Sequence, residues 1–338
     1  MLAGAPMKVL VLSHYNPDGD AIGSSLAWGK TLEDMGHRVT YVVPNKFPSF
    51  LDWIGGVGKV RVFSEHPAEV EKAVAEAELI CCLDFNNITR LEGLTPVIES
   101  NTTAQRLLID HHLQPPKDYY DLTFSYAEAS STSYLVFKLI SRLCGTGAID
   151  RDMATALYVG MMTDTGNFSF SNLTPDLYRT IAVLVGKGID IPYINFRIYN
   201  SYSEGRVRLL GYAIGPKMEL LQNGQAAYIS LLESELRRYH FRQGDSEGFV
   251  NYPLSIGTVK ISALFLQNSR FIRVSLRSRG DVDVNLFARR YFNGGGHKNA
   301  SGGKSTETME KAIEHFKKAV AEFFRDEGID KIEYKENK

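Results

Sequence analysis

The sequence is poor in cysteine, in excess charge of either sign and in long apolar runs. Its 338 residues include three cysteines, Cys81, Cys82 and Cys144. None is spaced from another as in a zinc knuckle or a redox motif, so a disulfide-stapled scaffold is excluded and a reducing compartment fits. The 38 basic and 39 acidic side chains leave a formal net charge of -1. Binding along a long duplex depends on neutralising many phosphates, so the balance argues against long duplex nucleic acid as a partner. A small anionic substrate in a local pocket is compatible with it. No apolar run approaches the length of a membrane span. The amino terminus carries Lys8 inside its apolar run and reaches Asp18 and Asp20 soon afterwards, which does not follow a signal peptide. The expected location is the cytoplasm, without a membrane partner. No internal repeat or low-complexity tract is present, and the charged tail, residues 331–338, is expected to be solvated.

What is there suits a soluble globular protein: 44% hydrophobic and 23% charged residues. The length points to two domains with separate cores. The expected fold class is α/β. Residues 1–190 form a doubly wound parallel-sheet domain, 191–215 a helical linker, and 216–338 a smaller mixed α/β domain whose sheet is partly antiparallel.

The stretch that organises the chain is Asp110-His111-His112 behind the apolar run Leu107-Leu108-Ile109. The run reads as a short buried strand, and the carboxyl ends of strands are where open α/β sheets bind ligands. Adjacent histidines also occur in solvated loops, so the triplet gains weight from other strand ends. Lys8 to His14 reads as a buried strand, followed by a Pro/Gly loop carrying Asp18 and Asp20 and then by a helix through Trp28 and Leu32. Asp20 is either the N-cap of that helix or a ligand. Mixed His and Asp donors favour manganese or a similar ion. A third apolar run, Leu79 to Leu83, ends in Asp84. In a parallel sheet with right-handed crossovers all these ends lie along one edge, so His14, Asp18, Asp20, Asp84 and residues 110–112 can converge.

Two later segments remain open between structural and chemical roles. Ser130, Ser131 and Ser133 precede an apolar-periodic helix and are most simply N-caps, although a helix amino terminus also holds anions. Asp164, after a helical pattern over 152–162, either caps a turn beside Gly166 or joins the acids. Arg197, Tyr199, Tyr202, Arg206 and Arg208 interleave basic and aromatic side chains; amphipathic linker packing is the preferred reading over nucleotide recognition.

The motifs His14-Tyr-Asn-Pro-Asp18-Gly-Asp20, Asp84, Asp110-His111-His112 and Thr163-Asp164-Thr165-Gly166 resemble, in order, those of the DHH phosphoesterase superfamily. The resemblance implies that His14, Asp18 and Asp84 hold one metal ion, and that Asp20, Asp84, His111 and Asp164 hold a second. Asp84 would bridge the ions and, with His112 facing the substrate phosphate, act in catalysis; Asp110 would orient the histidines. The implied cofactors are two divalent metal ions, manganese first, with magnesium or cobalt as alternatives. Such a pair neutralises the carboxylates and stabilises charge on attacking and leaving oxygens.

In the carboxyl-terminal half, Asn293-Gly294-Gly295-Gly296-His297 is followed by Ala300-Ser301-Gly302-Gly303. A glycine run is commonly a flexible turn, but consecutive glycines also expose N–H groups to phosphate. This pattern resembles the DHHA1 domain, whose GGGH signature contacts substrate. Gly294, Gly295, Gly296, His297 and Arg277, from the basic run 273–279, are the implied substrate-binding residues. Together the resemblances cover nearly all of the chain and are nearest to the bacterial oligoribonuclease and pAp phosphatase group. The implied substrate is a short RNA or a nucleotide phosphate, with a homodimer as a plausible assembly. Alternative readings are a cyclic or linear dinucleotide phosphodiesterase, an exopolyphosphatase or pyrophosphatase, and a non-catalytic nucleotide-binding regulator.

Overall fold

The computed structural model describes residues 4–116, 118–169 and 173–329; the charged tail lies outside them. The chain divides into two compact units after Ser201.

The first unit runs β1 (Lys8–Leu12), α1 (Gly19–Asp34), β2 (Arg38–Val43), β3 (Arg61–Val62), α2 (Pro67–Glu76), β4 (Leu79–Leu83), α3 (Thr95–Ser100), β5 (Gln105–Asp110), β6 (Leu122–Ser125), α4 (Thr132–Cys144), α5 (Arg151–Asp164), α6 (Pro175–Gly186) and α7 (Ile191–Asn195). Its sheet has the order β3-β2-β1-β4-β5-β6, and every pairing is parallel. Helices cover both faces, which is why the strands read as unbroken apolar runs. Val9 and Val11 of β1 pack with Ile22, Leu26 and Trp28 of α1 and with α5, whereas Leu10 and Leu12 pack with Val70, Val74 and Ile98. Strand order reverses between β1 and β4, so their carboxyl ends flank the crevice that doubly wound sheets leave open.

The contact of α1 with α5 depends on missing side chains. A Cβ at Gly23 would lie 2.3 Å from the carbonyl oxygen of Ala156 and 3.2 Å from Gly160 N, and one at Gly160 would lie 2.8 Å from Asp20 Oδ1. The two helices therefore approach backbone to backbone beside the strand tips.

The second unit contains α8 (Glu204–Ile214), β7 (Met218–Leu221), β8 (Ala226–Leu231), α9 (Glu233–Arg238), β9 (Ile261–Gln267), β10 (Ile272–Ser278), α10 (Val284–Tyr291), β11 (Gly295–His297), β12 (Ala300–Ser305) and α11 (Met309–Asp326). Its sheet order is β11-β12-β10-β9-β8-β7. Only β8 and β9 run parallel; the other pairs are antiparallel. Alternation in β10 sends Ile272, Val274 and Leu276 into a core with Phe287, Phe316 and Phe323 of the covering helices, leaving Arg273, Ser275 and Arg277 less buried.

Residues 191–215 do not form one continuous segment. Ile194 of α7 and Ile198 of the following π-helical turn belong to the first unit's core. Leu209 and Ala213 of α8 pack with Ile229 and Leu231 of the second. Apolar periodicity is the same on both sides of Ser201, so it does not reveal which core each helix joins.

Candidate metal centre

Each predicted ligand is set by a strand end or a helix terminus. His14 follows β1, and its Nδ1 lies 2.9 Å from the carbonyl of Tyr15. A carbonyl only accepts, so the ring proton sits on Nδ1 and Nε2 is left 3.4 Å from Asp84 Oδ2. His111 repeats the device: Nδ1 lies 3.2 Å from the carbonyl of Ala129, and Nε2 faces Asp164 at 3.3 Å, Asp84 at 3.5 Å and Asp20 at 3.9 Å. Fixing one ring nitrogen to a backbone carbonyl is how metal-ligating histidines are commonly oriented.

Asp18, not Asp20, caps α1, accepting N–H groups of Asp20 and Ala21 at 3.0 and 3.1 Å. Asp20 lies inside the helix, so the cap rule alone does not account for it. Its two oxygens accept the backbone N–H groups of Thr132 and Ser133 at 2.6 and 2.8 Å, while Ser131 caps the same helix α4 through Tyr134 N. Both readings of the serine segment therefore hold: Ser131 is the cap, and the anion at this helix terminus is Asp20. Asp84 follows β4 with a φ of 65°, a left-handed conformation costing a non-glycine residue about 1–2 kcal/mol, and accepts from Thr132 Oγ1 at 3.0 Å.

Three clusters share Asp84. Ligand atoms of His14, Asp18 and Asp84 lie within 4.8 Å of one another, as do those of Asp20, Asp84 and His111 and those of Asp84, Asp110 and His112. Asp164, the last residue of α5, adjoins the second through His111. Asp110 accepts from His112 twice, from its backbone N–H at 3.1 Å and from Nδ1 at 2.7 Å.

The electrostatics are those of a site rich in buried anions. Asp20 and Asp84 are 1% and 2% exposed. Burial, with the neighbouring charges of Asp84 and Asp164, raises the Asp20 carboxyl well above its ordinary range. Burial also pushes Asp84 upward, but hydrogen bonds with His111 and His14 and the charge of His112 hold it well below that range. The His111 imidazole is raised well above its usual value, because Asp164, Asp84 and Asp20 outweigh its burial. His112 is lowered by burial and by the Arg90 charge, against the pull of Asp110. Among the described residues the ion pairs of Asp20 and Asp84 are with imidazoles alone. Buried carboxylates interleaved with imidazole nitrogens form a donor set that fits a divalent cation.

Two of the second unit's predicted residues, Arg277 and His297, share one cross-strand row. Arg277 pairs with Ala300, and Ala300 with His297. The glycines are structural in their close approach: a Cβ at Gly294 would lie 1.9 Å from the carbonyl oxygen of Gly302, and one at Gly296 2.6 Å from that of Ala300. Gly294 N donates to the Ala288 carbonyl at 3.1 Å and Gly296 N to Asn285 Oδ1 at 3.0 Å. The glycine run is thus strand β11 and its approach, not a loop of free amides.

The DHH family, N-terminal domain, matches residues 8–161, and the DHHA1 domain matches residues 223–326. A crystal structure of an exopolyphosphatase-related protein from Bacteroides fragilis is 40% identical, covers 95% of this chain and 94% of its own, and superposes with a TM-score of 0.88. The chain belongs to the DHH phosphoesterase family. Curated DHH relatives include the bifunctional oligoribonuclease and PAP phosphatase NrnA of Thermus thermophilus, 29% identical over 93% of this chain and 89% of that protein. The Bacillus subtilis protein of the same name is 28% identical over 87% and 88%.

Three features of this DHH centre escaped the sequence reading. Arg90 Nη1 lies 2.9 Å from His112 Nε2. Backbone amides of Thr132 and Ser133 hold Asp20, and Gly160 leaves room for it, since a Cβ there would lie 2.8 Å from Asp20 Oδ1. Arg90 had a weak local signal, a polar position between buried Ile88 and Leu91 six residues after Asp84; the serine segment signalled an anion at the α4 terminus but not that the anion is Asp20. The basic and aromatic residues near the unit boundary pack as linker side chains do. Arg197 lies over the rings of Trp53 and Tyr193, Arg206 stacks on Tyr202, and Arg208 pairs with Glu204. Among the described residues no helix is long and apolar enough to cross a membrane.

Proposed function

We propose that this DHH phosphoesterase hydrolyses short oligoribonucleotides such as pApA to nucleoside monophosphates and removes a phosphate from pAp. The observation that carries the reading is Asp84 at the strand-order switch, shared by the donor cluster of His14 and Asp18 and that of Asp20 and His111. His14, Asp18 and Asp84 would hold one divalent ion, and Asp20, Asp84, His111 and Asp164 the other. The mixed imidazole and carboxylate set favours Mn2+, with Mg2+ or Co2+ as substitutes. When bound, such ions acidify water and neutralise charge on the attacking and leaving oxygens of a phosphoryl transfer.

The chain's own groups supply orientation. The amino terminus of α4 fixes the Asp20 carboxylate, backbone carbonyls fix the two histidine tautomers, and Asp110 fixes the His112 ring through its Nδ1–H. Arg277 and His297 bind a phosphate of the substrate, while Gly294 and Gly296 shape that surface through their close approach to β12 and Gly295 through its pairing with Gly302. The DHH unit is the catalytic domain and the DHHA1 unit the substrate-binding one. Free Cys81, Cys82 and Cys144 suit a reducing, cytoplasmic setting.

The test is Mn2+-dependent turnover of pApA, longer oligoribonucleotides, pAp, cyclic di-AMP and polyphosphate under one condition. Preference for pApA and pAp supports the reading. Preference for cyclic di-AMP or for polyphosphate replaces it with the corresponding phosphodiesterase or polyphosphatase.

A further inference from the structure

Arg90 is bound to the DHH triplet by a hydrogen bond of fixed polarity. A guanidinium carries N–H donors and no acceptor, so in the 2.9 Å contact with Arg90 Nη1 the Nε2 of His112 is the acceptor. The ring proton then sits on Nδ1, where Asp110 Oδ1 receives it at 2.7 Å. His112 is thereby held between a carboxylate and a guanidinium, and the positive group presented beyond its Nε2 belongs to Arg90.

The backbone beneath Arg90 is anchored on both sides. Ile88, Leu91 and Leu94 are buried, Asn87 caps the turn through Thr89 N, and Arg90 N donates to the Asn87 carbonyl at 3.0 Å. The Arg90 carbonyl accepts Tyr15 N at 2.8 Å, which ties this segment to the residue after His14. The side chain itself is half-buried. A guanidinium has five N–H donors in a planar fork, so one bond to an imidazole leaves others able to meet phosphate oxygens.

We propose that Arg90 is a substrate-contacting residue of the phosphoester hydrolysis, fixing His112 through Nη1 and offering its remaining N–H donors to a non-bridging oxygen of the scissile phosphate. In a site lined by Asp18, Asp20, Asp84 and Asp164, that guanidinium opposes repulsion of the incoming anion and stabilises the charge gathered on the phosphoryl oxygens in the transition state. Lysine does not substitute, because an ammonium lacks the planar fork that spans an imidazole and a phosphate.

The inference rests on the phosphoester reading, so the wild-type chain is assayed beside the variants on bis(p-nitrophenyl) phosphate and on pAp. Arg90→Ala is expected to lower kcat/KM about 100-fold, with Mn2+ affinity and thermal midpoint unchanged. Arg90→Lys is expected to recover little of the loss, and added guanidinium ion to restore part of the Arg90→Ala activity. Retention of kcat/KM within about threefold overturns the inference. So does a loss matched by weaker Mn2+ binding or unresponsive to guanidinium, since either makes Arg90 structural. A wild-type chain inert on both substrates overturns the phosphoester reading first, and this inference with it.

Discussion

The Asp20 carboxylate accepts the backbone N–H of Thr132 at 2.6 Å across 112 residues of sequence. One side chain thus closes the amino terminus of α4 and stands beside Asp84 and Asp164 at the strand ends. The helix terminus partly compensates the buried charge, yet the neighbouring acids and burial still raise the Asp20 carboxyl.

Asp20→Asn keeps an oxygen for one of the two amides and removes a charge that repels Asp84 and Asp164. The metal-free variant is expected to melt no lower than the wild type. Its Mn2+-induced rise in melting temperature should shrink, because a 10–100-fold loss of affinity removes about 1.4–2.7 kcal/mol of ligand stabilisation. Thermal scans with chelator and with Mn2+ measure both, and an undiminished rise would remove Asp20 from the ligand set.

Gly160→Ala brings a Cβ to 2.0 Å from Ser133 Oγ and 2.8 Å from Asp20 Oδ1. Overpacking of this kind costs about 1–3 kcal/mol, and displacement of Asp20 should lower kcat/KM beyond what the unfolded fraction explains. Gly211, inside α8 with nothing within 4 Å of a Cβ, is the contrast. Gly211→Ala is expected to stabilise by about 0.4–1 kcal/mol with activity unchanged. Denaturant melts and steady-state kinetics separate the two substitutions.

The legibility of this chain follows residue environment. β1, β4 and β5 are buried on both faces, so their apolar runs, with His14 after β1, Asp84 after β4 and Asp110 ending β5, read directly as strand tips. β11 and β12 carry Gly295–Gly296 and Gly302–Gly303, residues of low strand propensity, and form strands through pairing, β12 with β10 and β11 with β12. Asp18 and Asp20 share a motif and Asp18 caps α1 locally, but the partner of Asp20 is the amino terminus of α4, remote in sequence. The choice of core made by residues 191–215 is likewise tertiary, since Ile194 and Leu209 look alike as helical apolar positions.

The pH dependence should reverse with metal. His111 is raised above its ordinary value by Asp164, Asp84 and Asp20, against its burial. In the metal-free chain the stability from these pairs is fully present below the unfolded-state pKa of about 6.5 and is lost as pH rises through the higher folded value. A cation requires His111 neutral and Asp20 ionised, so Mn2+ affinity should increase over that same rise and binding should release protons. Melting temperatures taken across pH with chelator should fall, and the increment added by Mn2+ should grow. A pH-independent increment would separate His111 from metal binding.

Arg277 and His297 occupy one row of the second sheet, joined through Ala300. Register-matched residues on neighbouring strands share a face, and two strand spacings separate the pair by about 10 Å. That span suits two contacts to one phosphorylated ligand, and neither residue lies on an element that carries the metal ligands. Arg277→Ala and His297→Ala should therefore raise KM for pAp about tenfold each, a loss of about 1.4 kcal/mol, with Mn2+ titrations unchanged. Arg277 packs within the sheet, its Nη1 donating to the Leu276 carbonyl at 2.9 Å, so Arg277→Lys distinguishes lost charge from lost packing. If the lysine variant binds pAp as weakly as alanine while melting like the wild type, the guanidinium itself is what the ligand recognises. If either alanine variant instead lowers kcat together with Mn2+ affinity at unchanged KM, the residue serves the metal centre, and the division of labour between the two units fails.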